Sequence, residues 1–404
     1  MTSEAIPVLL HVAANVEAGL DSRRGGGFQT VQASEALLGT EDLRLLETVA
    51  PYYEVTSQRR AAGEFPTKES FFALPSGRLA VGRTVDWGTS ASGRAGNFLA
   101  RHLVLERDAL RKCGMDPFCL LDAAWPEVPA ELEPAVMPPL PVVPAGLPGD
   151  ADLGSFPRYG EAALSALALH MLGEAPFLLL AVGEEAESRR LLRALFVALP
   201  EERRARCFFS THFYRACTAL GGQFRLATVR DGSEAPPAGR ELTHLTLESP
   251  GGTVVPGYAG WLARRLRVGD WSAIHALNRA VAAAEGGVPD EPLPDDAEWL
   301  PVFWERAGTA MAPALAGRPG LLLPLLAQLG GAEARRLAEA LLLHGSPEAV
   351  CGNDAEAAVG CMTALKRTAS GAAWKAWSLR WKDDPLFHAQ AGSASGPKWA
   401  FWRR

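Results

Sequence analysis

No G-x-x-x-x-G-K-[ST] phosphate loop occurs anywhere in the 404 residues. The loop that wraps backbone N–H groups and a lysine around a nucleotide's β- and γ-phosphates is therefore missing. Lysine itself is scarce, six of the 40 basic residues, the other 34 being arginine. Basic charge is not in excess: 46 acidic residues leave a net charge of −6. That argues against nucleic acid as a direct partner, since such partners leave a basic surplus or a local basic block. Only six cysteines are present, at 113, 119, 207, 217, 351 and 361. None stands in a C-x-x-C, and no histidine pair has zinc-ligand spacing, so no metal site is expected. A reduced cytoplasmic protein with buried thiols is the economical reading. Long unbroken apolar runs are missing too. The most apolar window, 311–332, is interrupted by Pro313, Arg318, Pro319 and Pro324, so no membrane span is expected. The first twenty residues have neither a basic start nor a small-residue cleavage site, and so do not read as a signal peptide.

What is present is enough apolar sequence for sizeable cores. Apolar residues make up 48% and charged residues 21%, and this length suggests two to four domains. The clearest compositional break lies between Pro126 and Pro157, where nine of 32 residues are proline. Proline at that density stiffens the chain and removes ladder donors. The expected fold class is α+β multidomain. Residues 1–125 read as a mixed α+β domain, 126–157 as a proline-rich linker or surface strap, 158–255 as a small α/β domain and 256–404 as an all-helical region.

Local signals support that outline. Thr40 precedes Glu41 and Asp42, and Leu43, Leu45, Leu46 and Val49 follow on a helical stripe that Pro51 ends. ESFFALPSGRLAVGRTVDW reads as a hairpin turning at Pro75-Ser76-Gly77. Leu79, Val81, Val85 and Trp87 share one face of its second strand, and Arg83 falls among them. Either Gly82 makes a bulge that turns Arg83 outward, or Arg83 points inward to a carboxylate. PFLLLAVG has the all-apolar character of a central parallel strand, and CFFSTHF and QFRLATV read as further strands. Asp270 is placed to cap a helix with Trp271, Ile274, Leu277 and Val281 on one face. AEWLPVFWERA, AEARRLAEALLLH and AEAAVGCMTALKR continue the helical pattern.

Three places bear chemistry worth weighing. In DSRRGGGFQT, Arg23 and Arg24 precede Gly25, Gly26 and Gly27, a loop over which an anion could sit; a turn into the following strand is the plainer reading, since no lysine and no helix start follow. In SGRAGNFLARHLVLE, strand alternation puts Phe98, Ala100, His102 and Val104 on one face, with Arg94 and Asn97 just before. Such a set offers a base, an anion clamp and an orienting group; a buried core histidine is the plainer reading. The tail holds Trp374, Trp377, Trp381, Trp399 and Trp402, an aromatic surface that either docks on its own protein or meets a partner. The strand-to-helix junction at Gly183 is followed by Glu184, Glu185 and Glu187. Their charge suits a helix N-terminus but repels a phosphate, so no nucleotide cofactor is expected.

The segments QTVQASEALLGTEDLRLLE, FFALPSGRLAVGRTVDWG and SGRAGNFLARHLVLE resemble the amino-terminal domain of the bacterial GTPase-associated protein 1 family. Members share a Gly-Arg-x-Gly-Asn-[aromatic]-x-x-His-x-Leu stretch, approximated here by Gly93, Arg94, Gly96, Asn97, Phe98, His102 and Val104. FLLLAVG through CFFST resembles the family's middle domain. The resemblance implies a non-catalytic adaptor or scaffold subunit of a bacterial conflict or signalling system. Its partners would be a small Ras-like GTPase and further subunits of that system. It supplies no catalytic residues. Alternatives are a GTPase activator presenting an arginine in trans, or an enzyme built around His102. Arg94, Asn97, Phe98 and His102, together with Trp399 and Trp402, are the candidate partner-binding residues.

Overall fold

The computed structural model describes residues 4–16, 27–50, 67–89, 95–125, 135–171, 177–182, 185–199, 201–211, 224, 226–230, 242–246, 252–255, 257–285, 308–352 and 354–385. The fold is α+β, a mixed sheet flanked by helices followed by a helical carboxy-terminal region. Two compact units emerge, one of residues 1–255 with 262–271, the other of residues 256–261 with 272–404.

Among the described residues, the first unit is organised by one eleven-stranded sheet. Its strands are β1 (Ile6–Val16), β2 (Gly27–Ser34), β3 (Lys68–Ala73), β4 (Leu79–Thr89), β5 (Ala95–Leu105), β6 (Ala135–Met137), β7 (Leu140–Val142), β8 (Phe177–Val182), β9 (Phe209–Ser210), β10 (Leu226–Arg230) and β11 (Leu242–Thr246). They lie in the order β11-β8-β10-β9-β3-β4-β5-β1-β2-β6, with β7 also on β1. From β3 to β2 the pairing is antiparallel. From β9 to β11 it is parallel, as the all-apolar β8 sequence suggests.

The seam between these halves is short: β9 meets β3 at Ser70–Ser210 and Phe71–Phe209. Thr211 reinforces it, its N–H reaching the Glu69 carbonyl at 2.8 Å and its hydroxyl accepting from the Glu69 N–H at 2.7 Å. The segment expected as a linker contributes β6 to β2 and β7 to β1, and the Ala145 N–H bonds the Cys119 carbonyl at 2.8 Å. Proline suits this position because β6 and β7 are only three residues long.

Thr40 caps the helix Glu41–Val49, its hydroxyl accepting from the Leu43 N–H at 3.2 Å. Asp42 in the first turn is buried and accepts from the Ser76 N–H at 3.0 Å, tying the helix to the β3–β4 turn. Gly77 takes a φ of 88° there, a conformation that glycine accepts without a Cβ clash. The helix drives Leu46 and Val49 onto one sheet face with Leu37, Phe72, Leu74, Ala80 and Val104. On the opposite face Phe71, Phe118, Phe196 and Phe209 form an aromatic core with ring centroids 5.4–6.3 Å apart.

The second unit is helical throughout its described residues. Ser346, Asp354 and Ser370 cap three successive helices, each side chain accepting from the N–H three residues on. Trp374 and Trp377 are buried, with rings 5.3 Å apart, and Trp377 Nε1 donates to the Gly345 carbonyl at 2.9 Å. These two tryptophans dock on their own protein. Pro319 opens one helix and Pro324 lies inside it, and no described helix is long and apolar enough to cross a membrane. AEWLPVFWERA, Trp399 and Trp402 lie outside the described residues.

Candidate functional site

His102 sits on β5 opposite His11 of β1 and is only 1% exposed. The rings stack with centroids 5.2 Å apart, and their Nδ1 atoms are 3.0 Å apart. His11 Nε2 lies 3.0 Å from Thr30 Oγ1, and the Thr30 hydroxyl donates to Glu47 Oε1 at 2.6 Å. These contacts assign the tautomers. A carboxylate only accepts, so the threonine proton points to Glu47 and its oxygen is left to accept from His11 Nε2–H. His11 Nδ1 is then a lone pair, and His102 Nδ1 must carry the proton that bonds it. The result is a one-way chain from His102 through His11 and Thr30 to Glu47, on the helix Glu41–Val49.

Gly82 of β4 stands opposite His102 in the ladder, with Ser70 of β3 beyond it. A Cβ at Gly82 would lie 2.5 Å from His102 Cδ2 and from Ser70 Oγ, so only glycine leaves room for the imidazole. Phe72 meets His102 edge-on at 5.9 Å. Lys68, buried on the same face by strand alternation, donates to the Val49 carbonyl at 2.6 Å, and Thr84 donates to the Ala50 carbonyl at 3.1 Å. These two side chains satisfy the helix's last carbonyls.

Burial governs the charge states here. It lowers His11 to about 3 and Lys68 to about 7. His102 is held well below the ordinary imidazole range, first by burial, then by the neighbouring His11 and Lys68. Near neutral pH the pair is uncharged. It holds β5, β1, β2 and the helix in register.

The enzyme reading fares differently. Asn97 and His102 have opposite parity on β5 and so face opposite sides of the strand. Phe98 is 9% exposed and packs on Phe28 with centroids 4.3 Å apart. His102 therefore meets a histidine, a phenylalanine and a glycine rather than Asn97. Arg94 lies outside the described residues, as do Arg23, Arg24, Gly25 and Gly26. Gly27 starts β2, opposite Val16. No cluster of His, Cys, Asp and Glu that could hold a metal occurs among the described residues.

Arg83 takes the inward alternative. The register runs unbroken past Gly82 in both ladders, so no bulge rotates Arg83 outward. It approaches Glu69 at 3.5 Å, donates to the Leu121 carbonyl and stacks over Trp125 at 5.4 Å. Arg101, opposite it in the ladder, stacks on Trp125 at the same distance. Two like charges side by side are unfavourable; burial and then Arg83 lower the Arg101 pKa. Arg189 bridges Glu69 and Asp122 at 2.8 and 2.6 Å, and Arg193 bonds Asp122 at 2.5 Å.

Sequence reasoning missed His11, Thr30, Glu47 and Lys68. His11 lies inside an apolar run, IPVLLHVAANV, and only the pairing of β1 with β5 reveals its partner.

No curated protein and no solved structure matches the chain. A family model does, over residues 11–144, and that span holds the histidine pair, Thr30, Glu47, Lys68 and Arg83. Over residues 11–144, about a third of the chain, the sequence is similar to the N-terminal domain type 2 of GTPase-associated protein 1.

Proposed function

We propose that this chain is a non-catalytic adaptor that binds a small Ras-like GTPase within a bacterial conflict or signalling system. The family match over residues 11–144 carries the reading. The burial of the His11–His102 pair supports it, because a catalytic base needs hydrogen-bond reach to a substrate. Of the candidate anchors, Phe98 and His102 are buried and serve as support. Asn97 on β5 and Arg94, just before it in sequence, are the positions proposed to meet the partner, and Trp399 and Trp402 are a second proposed contact.

The test is interferometry of the full chain against a purified small Ras-like GTPase, loaded in turn with GDP and with a non-hydrolysable GTP analogue. Binding at micromolar Kd or tighter, about 8 kcal/mol, with no change in GTP hydrolysis is the expected outcome. Hydrolysis accelerated by about a thousandfold or more would establish an activator with an arginine in trans instead. Absence of binding in both nucleotide states, by a folded chain, would reject both.

A further inference from the structure

Strand β1 changes neighbours along its length. It pairs with β7 at Ile6–Val8 and with β2 from His11 onward. Between them Leu9 and Leu10 pair with neither, and the Leu10 N–H is taken by the Ser34 side chain at 2.9 Å. Pro138 and Pro139 make the matching switch, carrying the chain from β6, beside β2, to β7, beside β1. A groove with a cavity volume of about 590 Å³ opens at this place, lined by Leu9, by Ser34 to Ala36 and by Val136 to Pro139. That volume suits a small ligand or a few side chains of a partner.

Three features of the groove fix the chemistry of what fills it. The first is apolar surface: Leu9, Ala36, Met137 and the two prolines line it, and Val136 is 62% exposed. The prolines bring no N–H and a fixed φ, so that wall is stiff and free of donors. The second is a pair of uncommitted polar groups. Ser34 is 1% exposed; its oxygen accepts from Leu10, and its own O–H donates to nothing among the described residues. Next to it, Glu35 is exposed, and its carboxylate has no hydrogen bond or ion pair among the described residues. The third is a strand edge. β6 pairs with β2 and ends the strand order, so its outer backbone groups face no strand among the described residues. We propose that this groove binds an extended peptide segment of a partner protein, which adds a strand to β6 and presents an apolar side chain with an arginine or lysine within two residues of it.

The three features together select a peptide. A purely apolar molecule leaves Ser34 and Glu35 without partners, and a buried donor without an acceptor is costly. An anion is repelled by Glu35. A peptide carbonyl accepts from the Ser34 hydroxyl, a basic side chain pairs with Glu35, and an apolar side chain fills the space against Met137 and the prolines. Main-chain bonds to an open strand edge supply affinity, and the adjoining pocket reads the side chains. The groove stands apart from the contact proposed at Asn97. Leu9 is opposite Val104 on β5, seven residues along the strand from Asn97, or about 23 Å at the rise of a β-strand. The inference therefore goes beyond the GTPase reading and does not rest on it.

The test pans a random heptapeptide display library on the intact chain and titrates the enriched peptides by fluorescence polarisation. Enriched sequences should carry an apolar residue with lysine or arginine within two positions. Ala36→Trp fills the groove and should weaken their binding by about thirtyfold or more. Glu35→Lys turns an attraction into a repulsion and should weaken it by about tenfold. Both positions are exposed, so the variants should melt like the native chain. N-methylation of the peptide's own amides, which needs no protein variant, should abolish binding by removing the donors that pair with β6. Failure of the folded chain to enrich any peptide, equal binding by the Ala36→Trp chain, or affinity indifferent to both Glu35→Lys and N-methylation would overturn the proposal.

Discussion

Acid should destabilise the sheet unit already above the ordinary carboxylate range, because its core holds two neutral imidazoles. His11 titrates at about 3 in the fold against 6.5 outside it. Above pH 6.5 both states are neutral and the group contributes nothing to the pH dependence. Below 6.5 the unfolded chain takes up a proton that the folded chain refuses, so stability falls with pH until the folded pKa is reached. At pH 5 the gap is 1.5 pH units, or about 2 kcal/mol for His11. His102 is lowered in the same direction and adds to the loss, while His11 alone gives a slope of about 1.4 kcal/mol per pH unit. The loss at pH 5 is a large share of the roughly 5–15 kcal/mol a domain possesses. The readout is hydrogen exchange of β1 and β5 amides between pH 7.5 and 5, corrected for intrinsic exchange rates, which isolates this unit from the helical one. An H11N chain should lose the His11 share of that slope. A flat profile from pH 7.5 to 5 would refute the account of the pair as buried and neutral.

Lys68, lowered to about 7 by burial, works on the alkaline side. The unfolded chain keeps its proton up to about 10.5, so stability should climb between pH 7 and 9 by about 1.4 kcal/mol per unit, and K68M should abolish the rise. Gly82→Ala places a methyl 2.5 Å from His102 and Ser70, and should cost about 1–3 kcal/mol in urea titration, against almost nothing for alanine at exposed Gly146. Thr30→Val removes both the acceptor for His11 and the donor to Glu47 and should cost about 1–3 kcal/mol. Glu47→Gln keeps an acceptor oxygen and should cost less than half as much. Calorimetry of the purified chain with GTP or ATP should give no micromolar binding, since the sequence after β8 carries glutamates at 184, 185 and 187 and no lysine or glycine-rich loop to hold a phosphate.

Local chemistry was readable in the sequence wherever it acts within a few residues. The Thr40 cap, the Pro75-Ser76-Gly77 turn and the apolar parallel strand β8 follow from side-chain rules that need no distant partner. The histidine pair did not, because His11 and His102 are 91 residues apart and meet only through the register of β1 on β5. Alternation put His102 on an apolar face correctly, yet could not say that a second imidazole waits there. Arg83 illustrates the same limit. Its strand parity was plain, but beside Glu69 on the paired strand, Leu121 and Trp125 come from a segment about 40 residues on. The continuity of the sheet from β3 into β9 was hidden for the same reason, since two short runs 140 residues apart carry no mutual signature.

That two-residue seam between β3 and β9 has a consequence for synthesis. Among the described residues, the outer edge of β3 is held at Glu69, Ser70 and Phe71 alone, by Thr211, Ser210 and Phe209. Phe71 is covered by Phe196, Phe208 and Phe209, all of which leave the ribosome more than 120 residues later. At about 5–20 residues per second, β3 waits roughly 7–28 s with an open hydrogen-bonding edge and an uncovered aromatic ring. An open edge of that kind is a template for pairing with another nascent chain. The chain must therefore pass through a window of self-association that ends when residue 210 arrives, and truncations stopping between 130 and 205 should aggregate although the hairpin and the histidine ladder are complete.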